Sequence, residues 1–194
     1  MLTFITGLAA GALHVVMGPD HLAALAPIAL QSRARGVRVG AQWGAGHGLG
    51  VVLIGLVGIG LRHLVDPMWL SAVSEWLVGF ALIGVGVWAL WSARTDLKVA
   101  THVHESAAVG MGLLHGAAGA GHLYGLLPAL VLPPAQVVLY LGAYLTSAIL
   151  AMAAFGGLLG GLAGSWPGVV RGAMGLSGFI AIVVGLFWLS TGLP

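Results

Sequence analysis

Charge is what this chain most lacks. Seven lysines and arginines and five aspartates and glutamates make up 6% of its 194 residues, against about 25% in an ordinary soluble domain. So few charges cannot supply the polar shell of a water-soluble globule, which excludes a soluble enzyme. Cysteine is absent altogether, and with it go disulfides, thiolate metal sites and thiol relays. No basic patch interleaved with aromatics is present, so nucleic acid is not an expected partner. No GxxxxGK[ST] loop is present, so the chain does not hydrolyse ATP.

What remains is apolar: 59% of residues are hydrophobic and a further 33 are glycine. A transmembrane helix takes about 20 apolar residues, and the chain holds six such stretches and little else. They run over about 2–30, 39–61, 69–91, 107–132, 136–163 and 171–190. The first has no basic residue before it, is too long for a signal peptide and carries histidines, so it reads as a mature helix. The loops after spans one, three and five hold Arg33, Arg35, Arg38, Arg94, Lys98 and Arg171, whereas the opposite side holds only Arg62. Basic loops stay in the cytoplasm. The expectation is a multi-pass inner-membrane protein with both termini outside and the lipid bilayer as its surroundings. Homo-oligomerisation stays open.

The chain also repeats itself. A shift of 101 residues lays Gly11, Leu13, His14, Gly18, His21, Leu22, Leu25 and Pro27 on Gly112, Leu114, His115, Gly119, His122, Leu123, Leu126 and Pro128. Spans three and six match at a shift of 99, through Leu77/Leu176, Gly79/Gly178, Phe80/Phe179 and Gly86/Gly185. Apolar composition produces scattered Leu and Gly matches, but not two histidines and a proline in one register. Three spans per half is an odd number, so the second half enters the membrane inverted. The predicted fold is therefore all-α: one transmembrane domain of six helices in two inverted three-helix repeats, 1–92 and 107–194, joined by a cytoplasmic loop 93–106. In secondary transporters of this architecture the substrate site lies near the midplane on interrupted helices.

His14, Asp20, His21, His47, His115 and His122 all fall inside spans. Ionisable side chains there cost about 2.5–3.5 kcal/mol or more when charged and normally face a polar pathway. One histidine could be neutral and bonded between helices, but five, four of them repeat-matched, point to a site. His14 and His21 are about 10.5 Å apart along a straight helix, too far to share one ion. Gly18-Pro19 between them is a kink signal. With the second repeat inverted, His21, His47, His115 and Asp20 fall in an inner layer, and His14 and His122 in an outer one. Imidazole with carboxylate and no thiolate suits Ni²⁺, Co²⁺, Zn²⁺ or Fe²⁺ rather than Cu(I).

The segment His14-Val15-Val16-Met17-Gly18-Pro19-Asp20-His21 resembles the HPxxGxDH signature of the HupE/UreJ nickel permeases. It is also similar to the HxxxxDH helix of the wider nickel/cobalt transporter family. Gly46-His47-Gly48 resembles the GHS element of the following helix. Val15 stands where the signature has proline, and Gly48 where it has serine. The resemblance implies a secondary permease for a divalent cation, Ni²⁺ or Co²⁺, with His14, Asp20, His21 and His47 as ligands. It implies no enzymatic activity and no permanently bound cofactor, the metal being the cargo. Two other readings compete: a haem-binding electron-transfer protein with axial histidines, and a non-transporting accessory subunit for metalloenzyme assembly.

Weaker signals have plainer explanations. His102-Val103-His104 reads as a solvated loop before a metal-handing site. The glycine rows Gly40/Gly44/Gly48 and Gly156/Gly160 read as close helix packing. Tyr140, Tyr144, Thr146 and Ser147 fit a pathway lining and interhelical hydrogen bonds equally well.

Overall fold

The computed structural model describes residues 1–32, 35–60, 67–95, 105–118, 128 and 131–191. Among these it is all-helical, with α1 (Leu2–Met17), α2 (Pro19–Ser32), α3 (Gly36–Gly60), α4 (Pro67–Arg94), α5 (Glu105–Ala117), α6 (Pro134–Ser165) and α7 (Pro167–Thr191). Residues 75–94, α6 and α7 are each long and apolar enough to cross a bilayer, and α1 with α2 adds a fourth candidate if the bent pair is one span. His63, His102, His104 and His122, with most of the 93–106 loop, lie outside the described residues.

The break between α1 and α2 follows from two residues. Gly18 leaves helical geometry, with φ −87° and ψ 95°, and its N–H donates to the His14 carbonyl. Pro19 then opens α2, where its missing N–H costs nothing and its fixed φ suits a first helical position. The two helices meet at 72°. Asp20 falls in the first turn of α2, where a negative charge meets the positive end of the helix dipole.

α2 is the innermost element. Ala23, Ala24, Leu25, Ile28, Ala29 and Leu30 are all buried, and α2 packs against α3, α4, α6 and α7. The most extensive packing pairs α4 with α7, α3 with α5, α3 with α6 and α1 with α6. Glycine makes these approaches. A Cβ on Gly40 would strike the Met152 carbonyl, and one on Gly44 would lie 2.8 Å from the Ile149 Cα. On the other flank of α3, a Cβ on Gly46 would strike the Val109 carbonyl and one on Gly50 the Leu113 carbonyl. A Cβ on Gly156 would strike the Gly36 carbonyl, and one on Gly36 would lie 3.1 Å from the Gly160 Cα, so the expected close packing holds at Gly40, Gly44, Gly156 and Gly160, whereas a Cβ on Gly48 would meet only the Leu145 side chain, at 3.3 Å.

Large apolar side chains point the other way. Leu158, Leu176, Phe179 and Phe187 are at least 60% exposed, while alanines such as Ala24, Ala29, Ala89, Ala163 and Ala181 are fully buried beside larger residues such as Trp43 and Leu82. Hydrocarbon rewards that distribution: small residues let membrane helices approach, and bulky ones face the lipid. The chain is a membrane protein by this criterion.

Candidate metal centre

The broken helix brings together two side chains that a straight one would hold apart. His14 is in the last turn of α1 and His21 in the first turns of α2. Their ring centroids are 4.9 Å apart with the planes at 85°. Gly18 makes room for this, since a Cβ there would strike His21 Nδ1. The expected separation of His14 into an outer layer does not hold. It placed residues by depth along one axis, and the 72° bend at Gly18-Pro19 folds the two turns onto one another.

α3 supplies His47, whose ring lies 4.8 Å from that of His21 and 5.4 Å from that of His14. Donor nitrogens of His14, His21 and His47 all lie within 4.8 Å of one another, an arrangement that could hold a metal ion. Tetrahedral donors at about 2.0–2.1 Å from an ion stand about 3.4 Å apart, so the three nitrogens would draw closer to share one. His21 and His47 are buried, and His14 is half-buried at the edge.

Asp20 sits beside the cluster and acts on it through His21. Its Oδ1 lies 2.9 Å from His21 Nδ1. An ionised carboxylate only accepts hydrogen bonds, so Nδ1 carries the proton and donates. The lone pair of the neutral ring then falls on Nε2, the nitrogen left to ligate. This carboxylate–histidine pairing fixes ring orientation and raises the basicity of a metal ligand. It gives Asp20 an orienting role beside the direct ligation expected from sequence.

His115 comes from the last turn of α5. It reaches the group because Gly112 and Gly116 let α5 lie on the α3 backbone at Trp43 and His47. Its ring is 5.9 Å from that of His21 and 5.1 Å from that of Trp43. His115 Nδ1 is 3.0 Å from the Met111 carbonyl, which only accepts, so Nδ1 is the donor here too. His115 is buried but lies outside the three-nitrogen group. His122, its expected companion, is outside the described residues.

Among the described residues, two aromatic side chains flank the histidines. Tyr144 of α6 has its ring 5.7 Å from that of His14, which fits the expected pathway lining. Trp43 is fully buried against His115 and was missed by sequence reasoning. Two signals could have found it: it stands four residues before His47, and 101 before Tyr144.

The chain is similar to three curated proteins. It is 29% identical over 93% of its length to the chloroplast protein FOR GROWTH AND FERTILITY 1 of Arabidopsis thaliana, of which the match covers 57%. It is 38% identical over 45% of its length to FOR GROWTH AND FERTILITY 2 of the same plant, covering 24% of that protein. The chain thus spans just over half, and about a quarter, of these two relatives. It is 26% identical to the urease accessory protein UreH of Bacillus sp. (strain TB-90), over 97% of the chain and 91% of that protein. No family profile matches the chain, and no solved structure does.

Proposed function

We propose that this protein is a secondary permease for a divalent transition-metal cation, with Ni²⁺ as its first substrate and Co²⁺ as its second. One observation carries the reading: three histidine donors within 4.8 Å of one another at a helix break, in a bundle of apolar helices. Broken helices with facing polar groups are how membrane transporters build ion sites. In this reading His14, His21 and His47 bind the cation, and Asp20 orients His21 and offsets the positive charge. His115 and His122 serve its passage. The resemblance to nickel permeases, and the similarity to a urease accessory protein along 97% of the chain, favour nickel among the metals that imidazole accepts.

The reading includes six spans in two inverted repeats, with both termini outside the inner membrane. Contacts that exchange between the halves support it. Gly11 packs on the Tyr144 carbonyl and Gly112 on that of Trp43, and a shift of 101 residues carries Gly11 to Gly112 and Trp43 to Tyr144. A Cβ on Gly79 would lie 3.0 Å from the Gly185 carbonyl, and one on Gly178 would lie 2.8 Å from that of Gly86. These two pairs exchange at a shift of 99.

Haem fits the cluster less well than a small ion. His21 packs edge-on against both His14 and His47, with ring centroids 4.8–4.9 Å apart, which leaves no plane for a porphyrin between them. Uptake of radiolabelled nickel and cobalt into cells with and without the protein tests the permease reading. Uptake equal in both would overturn it, and a Soret band in the purified protein would favour the haem reading instead.

A further inference from the structure

His14 and His115 are equivalent residues in unequal surroundings. They stand 101 residues apart, each in the last turn of its helix. Each has an aromatic ring from the other half beside it, Tyr144 at 5.7 Å from His14 and Trp43 at 5.1 Å from His115. Those two aromatics are themselves 101 residues apart. The glycine three residues before each histidine packs on the backbone carbonyl of that same aromatic. Both histidines also have His21 as a ring neighbour, at 4.9 Å and 5.9 Å.

The surroundings differ in two ways. His14 belongs to the group of three converging nitrogens and is half-buried, whereas His115 lies outside that group and is 1% exposed. In an inverted-repeat transporter, alternating access comes from one repeat rocking against the other around a fixed site. Such motion changes which half faces the site, and His21, a ring neighbour of both His14 and His115, can stay with the cation through it. We propose that His14 and His115 are alternate ligands for the same cation, one for each access state, with His21 shared between them. The proposal rests on the permease reading.

The chemistry is a ligand exchange. The bond from the cation to the His14 imidazole breaks as a bond to His115 Nε2 forms, with no change in oxidation state and no proton transferred. His115 is prepared for it: donation from Nδ1 to the Met111 carbonyl leaves the lone pair of its neutral ring on Nε2. The two states are not equal in strength. The residue 101 positions after His47 is Ala148, so the second half lacks a third imidazole at the equivalent place. The His115 state is therefore the looser one and suits release.

The test uses Co²⁺ as the probe and the purified full chain, in detergent for binding and in liposomes for flux. His115→Asn keeps an amide donor where Nδ1 meets the Met111 carbonyl and removes the Nε2 donor. Expected are a Co²⁺ absorption spectrum and affinity within about threefold of the parent, and a flux lower by about tenfold or more. His14→Ala removes one of the three converging donors and should instead weaken binding itself, by more than the about 10- to 100-fold that loss of an outer-shell partner costs. Retained Co²⁺ binding reports that His115→Asn is folded. If that variant unfolds, His115→Leu, close to histidine in volume and without any donor atom, carries the same comparison. Parental flux in the folded variant would overturn the proposal. So would a folded variant that loses Co²⁺ affinity and spectrum as His14→Ala does, because His115 would then be a ligand of the first site. A parent protein that neither binds nor carries Co²⁺ or Ni²⁺ would overturn the permease reading itself.

Discussion

Replacing Asp20 separates an orienting carboxylate from a ligating one. The 2.9 Å contact between its Oδ1 and His21 Nδ1 is a charge-assisted hydrogen bond between two buried groups. Such bonds are roughly twice as strong as neutral ones, and losing the partner behind a metal-bound histidine typically costs about 10- to 100-fold in affinity. Asp20→Asn keeps an oxygen acceptor for Nδ1 but loses the charge, so about tenfold, or 1.4 kcal/mol, is expected. Asp20→Ala loses both and frees the ring to turn, so about 100-fold, or 2.7 kcal/mol, is expected. Both variants also lose a favourable helix-dipole interaction of about 0.3–1 kcal/mol, which thermal unfolding without metal reads separately. Calorimetric titration of the purified protein with Ni²⁺ measures the affinities. If Asp20→Asn abolishes binding as fully as His21→Ala does, Asp20 ligates the metal directly and the orienting role is wrong. If neither Asp20 variant moves the affinity by more than twofold, the carboxylate has no part in the site.

Three further outcomes are expected. Gly11→Ala puts a methyl group against the Tyr144 carbonyl and Ser147 Oγ, and should destabilise the protein by about 1–3 kcal/mol as overpacking does. Gly110→Ala, with nothing within 4 Å of the new methyl, should stay within about 0.5 kcal/mol in the same unfolding assay. Ni²⁺ binding and transport should fall as pH drops from about 7 to 5, because the metal must displace protons from imidazoles and free histidine titrates at about 6.5. Flux that is flat across that window would count against histidine ligation. Since the chain has no cysteine, single cysteines at residues 1, 35 and 194 can be labelled without background. Residues 1 and 194 should react from outside and residue 35 only after permeabilisation, and a shielded residue 194 would sink the inverted topology.

Much of the fold and the site was legible because its signals are local. Scarce charge and long apolar stretches gave membrane helices, and Gly18-Pro19 marked the break that separates α1 from α2. The shared depth assigned to His21 and His47 matches their 4.8 Å ring separation. The family resemblance grouped His14 with His21 and His47, as the structure does, but spacing alone put it in a separate layer. Sequence spacing sets a distance along an axis, and the 72° change of direction made that distance irrelevant. Trp43 was obscured for a similar reason. A tryptophan in an apolar helix has no chemical mark of its own, and only its contact with His115 across the α3–α5 packing gives it a role.

Glycine explains why a site can form in a bundle with so few charges. A membrane interior gains nothing from moving apolar side chains from lipid into protein, so helices are held by close backbone approach and by polar contacts. Around this site the two coincide. Gly11 brings α1 onto α6 at Tyr144, and Gly112 and Gly116 bring α5 onto α3 at Trp43 and His47. Those are the same helix pairs whose side chains meet His14 and His115. A larger residue at any of these glycines would separate two helices and pull an imidazole away from its neighbours. The packing ridges and the candidate metal centre are therefore one structure, and substitutions in the ridges should weaken metal binding without touching a ligand.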